Sequence, residues 1–151
     1  MIDGRVYEVL TLPYKIRIQL MQLPADAHAR LVDALGVPAI RYDKDRIQTS
    51  PEDLLLARAA EIDAWERRRR RALRHKLRKA NRNADRVMDA AGLTGEERRI
   101  IVARCGYRMS WRRIEKSGGV PQTTARRVFE RAAGKLDGAR VSDTLSKINI
   151  W

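Results

Sequence analysis

Residues 93–136 read LTGEERRIIVARCGYRMSWRRIEKSGGVPQTTARRVFERAAGKL, and this stretch decides the fold. Thr94, with Glu97 three residues on, is a capping-box pattern that opens a helix through Ile100, Ile101, Val102 and Cys105. Gly106-Tyr107-Arg108-Met109 breaks that helix. Ser110 then caps a second helix from Trp111 to about Ser117, with Trp111 and Ile114 on one face. Gly118-Gly119 makes a tight turn, Val120 packs inward, and Pro121 begins a third helix. In that helix Ala125, Val128, Phe129, Ala132 and Leu136 form an apolar stripe. Two helices held near a right angle need an apolar residue in the first, a glycine in the turn and an apolar residue just after it. The second helix then needs apolar residues three apart facing back. Ile114, Gly119, Val120, Ala125 and Val128 meet each requirement. The pattern is a helix-turn-helix.

The outward residues of the third helix are Gln122, Thr123, Arg126, Arg127 and Glu130. An arginine donates two hydrogen bonds to guanine, a glutamine pairs with adenine, and a threonine offers a methyl and a hydroxyl. Gln122, Thr123, Arg126 and Arg127 are therefore the expected base readers of duplex DNA. Ser110, Arg112, Arg113 and Arg131 flank them and are expected on phosphates.

The rest of the chain agrees with a polyanionic partner. Its 151 residues carry 32 Lys and Arg against 19 Asp and Glu, a formal net charge of +13 and a pI of about 10.8. Hydrophobic residues make up 44% and aromatics 5%, with one Phe, so a core must rest on Leu, Ile, Val and Ala. No apolar run is long enough to cross a membrane, and Met1-Ile2-Asp3-Gly4 shows no secretory signal. Cys105 is the one cysteine, which excludes an intramolecular disulfide and suits a reducing compartment.

The charge is local. Residues 1–50 net +1, 51–91 net +5, 92–138 net +6 and 139–151 net +1. Within 67–86 stand eleven basic residues against Asp85 alone. Arg67, Arg68, Arg69, Arg70 and Arg71 cover every face of a helix, and Arg74, Lys76, Arg78 and Lys79 continue the run, so phosphate contact is expected here too. The apolar face lacks the Trp, Phe and Leu of a membrane-surface helix.

Segment by segment, an all-α chain is expected. Residues 1–49 form short helices, one over Pro13 to Leu23 and a second opened by Pro24 and closed by Gly36, followed by an extended connection. Residues 50–92 form a long basic helix, begun by Ser50-Pro51-Glu52-Asp53 and uninterrupted by Pro or Gly up to Gly92, with a possible break near Asn81 and Asn83. Leu73, Leu77, Ala80, Ala84, Val87 and Ala91 make a heptad-like seam that packs on the same protein, homodimerisation being the alternative. The helix-turn-helix domain occupies 93–138 and a tail 139–151, whose Trp151 could dock on the domain or a partner.

The stretch from Leu93 to Leu136 resembles region 4 of bacterial sigma factors, through Leu93, Glu97, Arg104, Ser110, Trp111, Ile114, Gly119, Val120, Thr124 and Leu136. Leu12-Pro13-Tyr14-Lys15-Ile16 and the string from Arg41 to Pro51, with the long helix and the sigma-like end, resemble the phage RinA/ArpU family of late-gene regulators. The resemblance implies a phage or prophage transcriptional activator in the cytoplasm of a bacterial host, associated with the nucleoid, with host RNA polymerase holoenzyme as a further partner. Two positions depart from the sigma pattern. Glu115 replaces a small residue, so it must bend outward or pair with a nearby Arg, and Gly118 replaces a usual Leu.

Enzyme chemistry is not expected: no HExxH, paired-cysteine, P-loop or GxGxxG pattern occurs. No cofactor and no metal site is expected, Asp43 and Asp45 reading as a solvated loop pair and Cys105 as a buried structural thiol. Tyr7, Tyr14, Tyr42 and Trp65 are not clustered in sequence, so no promoter-melting module is expected and an activator would need a host sigma factor. A terminase-type packaging subunit and an RNA-binding antiterminator are the alternatives.

Overall fold

The computed structural model describes residues 2–36 and 51–148. Among them the chain is all-helical: α1 (Gly4–Gly36), α2 (Pro51–Ala90), α3 (Gly95–Ile101) continuing into a π-helical turn (Val102–Gly106), α4 (Trp111–Gly118), α5 (Gln122–Leu136) and α6 (Ala139–Ser146). It divides into two compact units, residues 1–17 with 76–151, and residues 18–75.

The first unit is built from the two ends of the chain. Asp3 starts α1, its Oδ1 accepting from the backbone N–H groups of Arg5 (2.8 Å) and Val6 (3.4 Å). Its own N–H donates to Asp137 Oδ1 at 3.0 Å, tying that start to the end of α5. Val6, Val9 and Leu10 of α1 then pack with Ala84, Val87 and Met88 of α2, with Ile101 and Cys105, and with Ala132 and Leu136 of α5. Val141 of α6 and Ile148 close this core from the C-terminal side. The described part of the expected tail, residues 139–148, is thus mostly helical and structural. At about 1.5–3 kcal/mol for each fully buried aliphatic side chain, the segment contributes substantially to stability.

The second unit comprises the remainder of α1 and the first part of α2. Leu23, Ala27 and Leu73 are its buried apolar residues, and the Arg30 guanidinium lies 4.0 Å from the Trp65 ring centroid.

Two sequence expectations change, and the seam packs within the chain as expected. The two short N-terminal helices are one helix, running through Pro13 and Pro24. A proline inside a helix removes one hydrogen bond and costs about 3 kcal/mol. Buried residues hold the helix on both sides of each: Val9, Leu10 and Ile16 around Pro13, and Leu23 and Ala27 around Pro24. The long helix also continues past Asn81 and Asn83, because Ala80, Ala84, Val87 and Met88 are buried along the same turns. Most of the heptad-like seam is spent inside the chain, with Leu73, Ala80, Ala84 and Val87 buried. Ser50, Trp151, Asp43, Asp45 and the 41–50 string lie outside the described residues.

Candidate nucleic-acid interface

The site belongs to the first unit, and its scaffold begins at the N-terminus of α3. Thr94 Oγ1 accepts from Glu97 N–H (3.3 Å) while Glu97 Oε2 accepts from Thr94 N–H (2.8 Å), the expected capping box. Glu97 does more than cap. It is buried, and its carboxylate meets Lys135 Nζ at 2.8 Å and Arg131 Nε at 3.3 Å, both from α5. The hydrogen bond from Lys135 holds its pKa below the ordinary value of 4.5, against the opposing effect of burial.

A π-turn ends this first helix. Tyr107 N–H donates to Val102 O (3.0 Å), and Met109 N–H donates to Ala103 O (2.9 Å). Arg108 follows with φ +50°, a left-handed conformation rarely taken by side chains other than glycine and asparagine. Arg104 Nη1 secures the loop by donating to Met109 O at 2.8 Å, and Arg17 Nη1 of α1 donates to Gly106 O at 2.7 Å.

Ser110 caps α4 as expected, accepting from Arg113 N–H at 3.3 Å. Gly119 ends α4 with φ +65°, where any L side chain would be strained. That turn brings α5 back onto α4, and Ile100, Ile114, Ala125 and Val128 form a second small core, flanked by Met109, Trp111, Val120 and Phe129. Trp111 meets Phe129 edge-to-face at 5.6 Å between centroids. The helix-turn-helix spacing read from the sequence therefore describes the packing.

Of the expected base readers, Thr123, Arg126 and Arg127 are exposed on α5, as is Glu130. Gln122 is half-buried, and its Nε2 donates to Glu115 Oε2 at 2.7 Å. Glu115 thus pairs with a residue expected to read DNA, rather than with an arginine. Its neighbour on α5 is an amide because the turn at Gly119 places the first residue of α5 there. The Arg126 guanidinium stands 5.9 Å from the Trp111 ring centroid, bracing it along the module.

The expected phosphate ligands divide. Ser110, Arg112 and Arg113 are exposed at the start of α4. Arg131 is exposed, but its Nε is engaged by Glu97, which draws it toward α3. In the second unit Arg67, Arg68, Arg69, Arg71 and Arg74 are exposed, while Arg70 is half-buried in an ion pair with Glu66. Lys76 and Arg78, in the first unit, are exposed and Lys79 is half-buried. Counted by unit, the first carries 21 basic and 10 acidic residues and the second 11 and 9, so most of the surplus accompanies the helix-turn-helix.

Cys105 is a buried thiol, pushed up to about 11 by burial and drawn down in part by the Arg104 charge. Among the described residues no three His, Cys, Asp or Glu side chains gather as a metal site. Among them, too, no helix is long and apolar enough to cross a membrane. Two tyrosines of α1 line one cleft. Tyr7 and Tyr14 of α1 stand beside Arg108, whose guanidinium is 5.9 Å from the Tyr14 centroid, and Arg17 lies 4.2 Å from the Tyr107 centroid. Residues far apart in sequence are gathered by the packing of α1, and no local signal announces it. No family model, curated protein or solved structure matches this chain.

Proposed function

We propose that this protein is a sequence-specific double-stranded DNA-binding transcriptional regulator that activates phage or prophage late genes. The observation that carries the reading is the exposed trio Thr123, Arg126 and Arg127 on α5, presented by a helix-turn-helix whose core and left-handed glycine are both in place. In this reading α5 enters the major groove N-terminal end first. Arg126 and Arg127 donate to guanine edges, Thr123 contacts a thymine methyl or a base edge, and Gln122 presents its remaining amide atoms from the flank. The exposed residues Ser110, Arg112 and Arg113 hold the backbone and fix the register. Arg67 to Arg71 and the basic residues after them add sequence-independent phosphate affinity.

The activator part of the proposal rests on the resemblance to phage late-gene regulators and sigma region 4. Its test is in vitro transcription from the native late promoter. Stimulation of sigma-bound host polymerase is expected, and efficient initiation by core polymerase with this protein alone would overturn it. The DNA-binding part is tested by selecting duplexes from a random pool on the full chain. Recovery of one recurrent motif is expected, and a pool that stays random would overturn it.

A further inference from the structure

Beside α5, the first unit holds a second gathering of aromatic and arginine side chains. A cleft of about 430 Å³ is lined by Tyr7, Arg104, Cys105, Arg108, Trp111 and Phe129. That is a volume typical of small-ligand sites, which span roughly 300–1,000 Å³. Tyr7 is 43% exposed on one wall. On the other the Arg104 guanidinium lies 4.8 Å from the Trp111 centroid and is fixed by its bond to Met109 O. Tyr7 and Arg108 are shared with an adjoining cleft that continues past Glu8, Tyr14 and Lys15 of α1.

Three features exceed what packing alone requires. Tyr7 is left exposed on the cleft wall in a chain that has only four tyrosines and one phenylalanine. Among the described residues neither Arg104 nor Arg108 is in an ion pair. Arg108 also occupies a left-handed backbone position that a glycine would take without strain. Aromatic faces beside unneutralised guanidinium groups suit one chemistry: a flat base stacked on a ring or a guanidinium plane, with its phosphate on the next arginine. An isolated phosphate needs no aromatic wall, and duplex DNA offers base edges rather than faces.

We infer that this cleft takes an unpaired base and its adjoining phosphate from a single-stranded nucleic acid. It adjoins the duplex-reading face of α5 through Trp111 and Phe129, and it goes beyond the function proposed above.

The test uses the full chain and four labelled probes: oligothymidylate, an abasic strand of equal length, oligouridylate and a duplex hairpin. The variants are Arg108→Gly, which suits the positive φ, Tyr7→Leu, and Arg127→Ala as a control on α5, with circular dichroism confirming each fold. The parent protein is expected to bind oligothymidylate about tenfold tighter than the abasic strand, a preference that both cleft variants lose. Their duplex affinity should move less than about twofold, whereas Arg127→Ala should weaken the duplex and spare the single strand. Oligouridylate bound as well as oligothymidylate extends the site to RNA, and weaker binding confines it to DNA; either supports the cleft. Equal binding of the abasic strand, or a folded Arg108→Gly protein that keeps the preference, overturns it. Should Arg127→Ala leave the duplex untouched while the cleft variants lose the single strand, the α5 reading fails and the cleft stands.

Discussion

Gln122 Nε2 donates to Glu115 Oε2 at 2.7 Å, across the turn that joins the two helices of the motif. The bond takes one of the two amide N–H donors, leaves the carbonyl and the second N–H free of it, and fixes the plane of the amide. An amide so held meets a base in the one orientation that Glu115 sets, whereas a free glutamine turns to suit whichever edge it faces. Glu115→Ala should therefore change the base preference at the one position next to Gln122, by about 1 kcal/mol, with the rest of the motif kept. A selected site library bound by both proteins checks this, and identical preference profiles would count against it.

The carboxylate of Glu97 joins the cap of α3 to Lys135 and Arg131 of α5. Because its pKa is lowered in the folded chain, the stability it contributes is complete above the ordinary value of 4.5. That stability is lost as the pH falls through the lowered value. Glu97→Gln is expected to flatten the acid limb of the stability curve. Glu97→Ala, which removes cap and pairing together, should cost about 1–3 kcal/mol at neutral pH. Chemical denaturation at several pH values measures both.

Adjacent glycines predict opposite outcomes. Neither Gly118 nor Gly119 has an atom in the way of a Cβ, so the backbone alone decides. Gly119 sits at φ +65°, and Gly119→Ala should destabilise by about 1–2 kcal/mol. Gly118 is the last residue of α4 without a positive φ, and Gly118→Ala should stabilise by about 0.4–1 kcal/mol. Thermal melts of the two variants should move in opposite directions.

Neutralising Arg67, Arg68 and Arg71 together should weaken specific and random duplexes alike. The plot of log affinity against log salt should become shallower by roughly 2–3. Arg70, paired with Glu66, is expected to contribute least to that slope. A slope that stays the same would separate the arginine run from DNA.

Local chemistry made the helix-turn-helix legible. Thr94 with Glu97, Ser110 at a helix start and Gly119 in a left-handed turn act within a few residues, and the apolar spacing of Ile114, Ala125 and Val128 follows the helix period. The features the sequence did not disclose depend on distant partners. Lys135 reaches Glu97 across 38 positions, and Arg17 reaches Gly106 across 89. Pro13 and Pro24 are strong local stop signals, overridden by the burial of their neighbours. The apolar residues of 139–148 were too few to announce a helix, and it is the core formed elsewhere that gives Val141 and Ile148 something to cover.

Asp3 is bonded to Asp137 across 134 positions, and Val6 and Val9 share a core with Val141 and Ile148. A ribosome finishes α4 and α5 before it reaches Val141 and Ile148 of that core. Contacts so distant in sequence slow folding, because the loop must close before any contact is gained. The core around the first helix is therefore complete only once Val141 and Ile148 have emerged. Synthesis that stops short of α6 leaves this core without Val141 and Ile148, and exposed apolar surface of that kind is what chaperones and proteases act on. A prematurely terminated chain is thus expected to be removed rather than to persist.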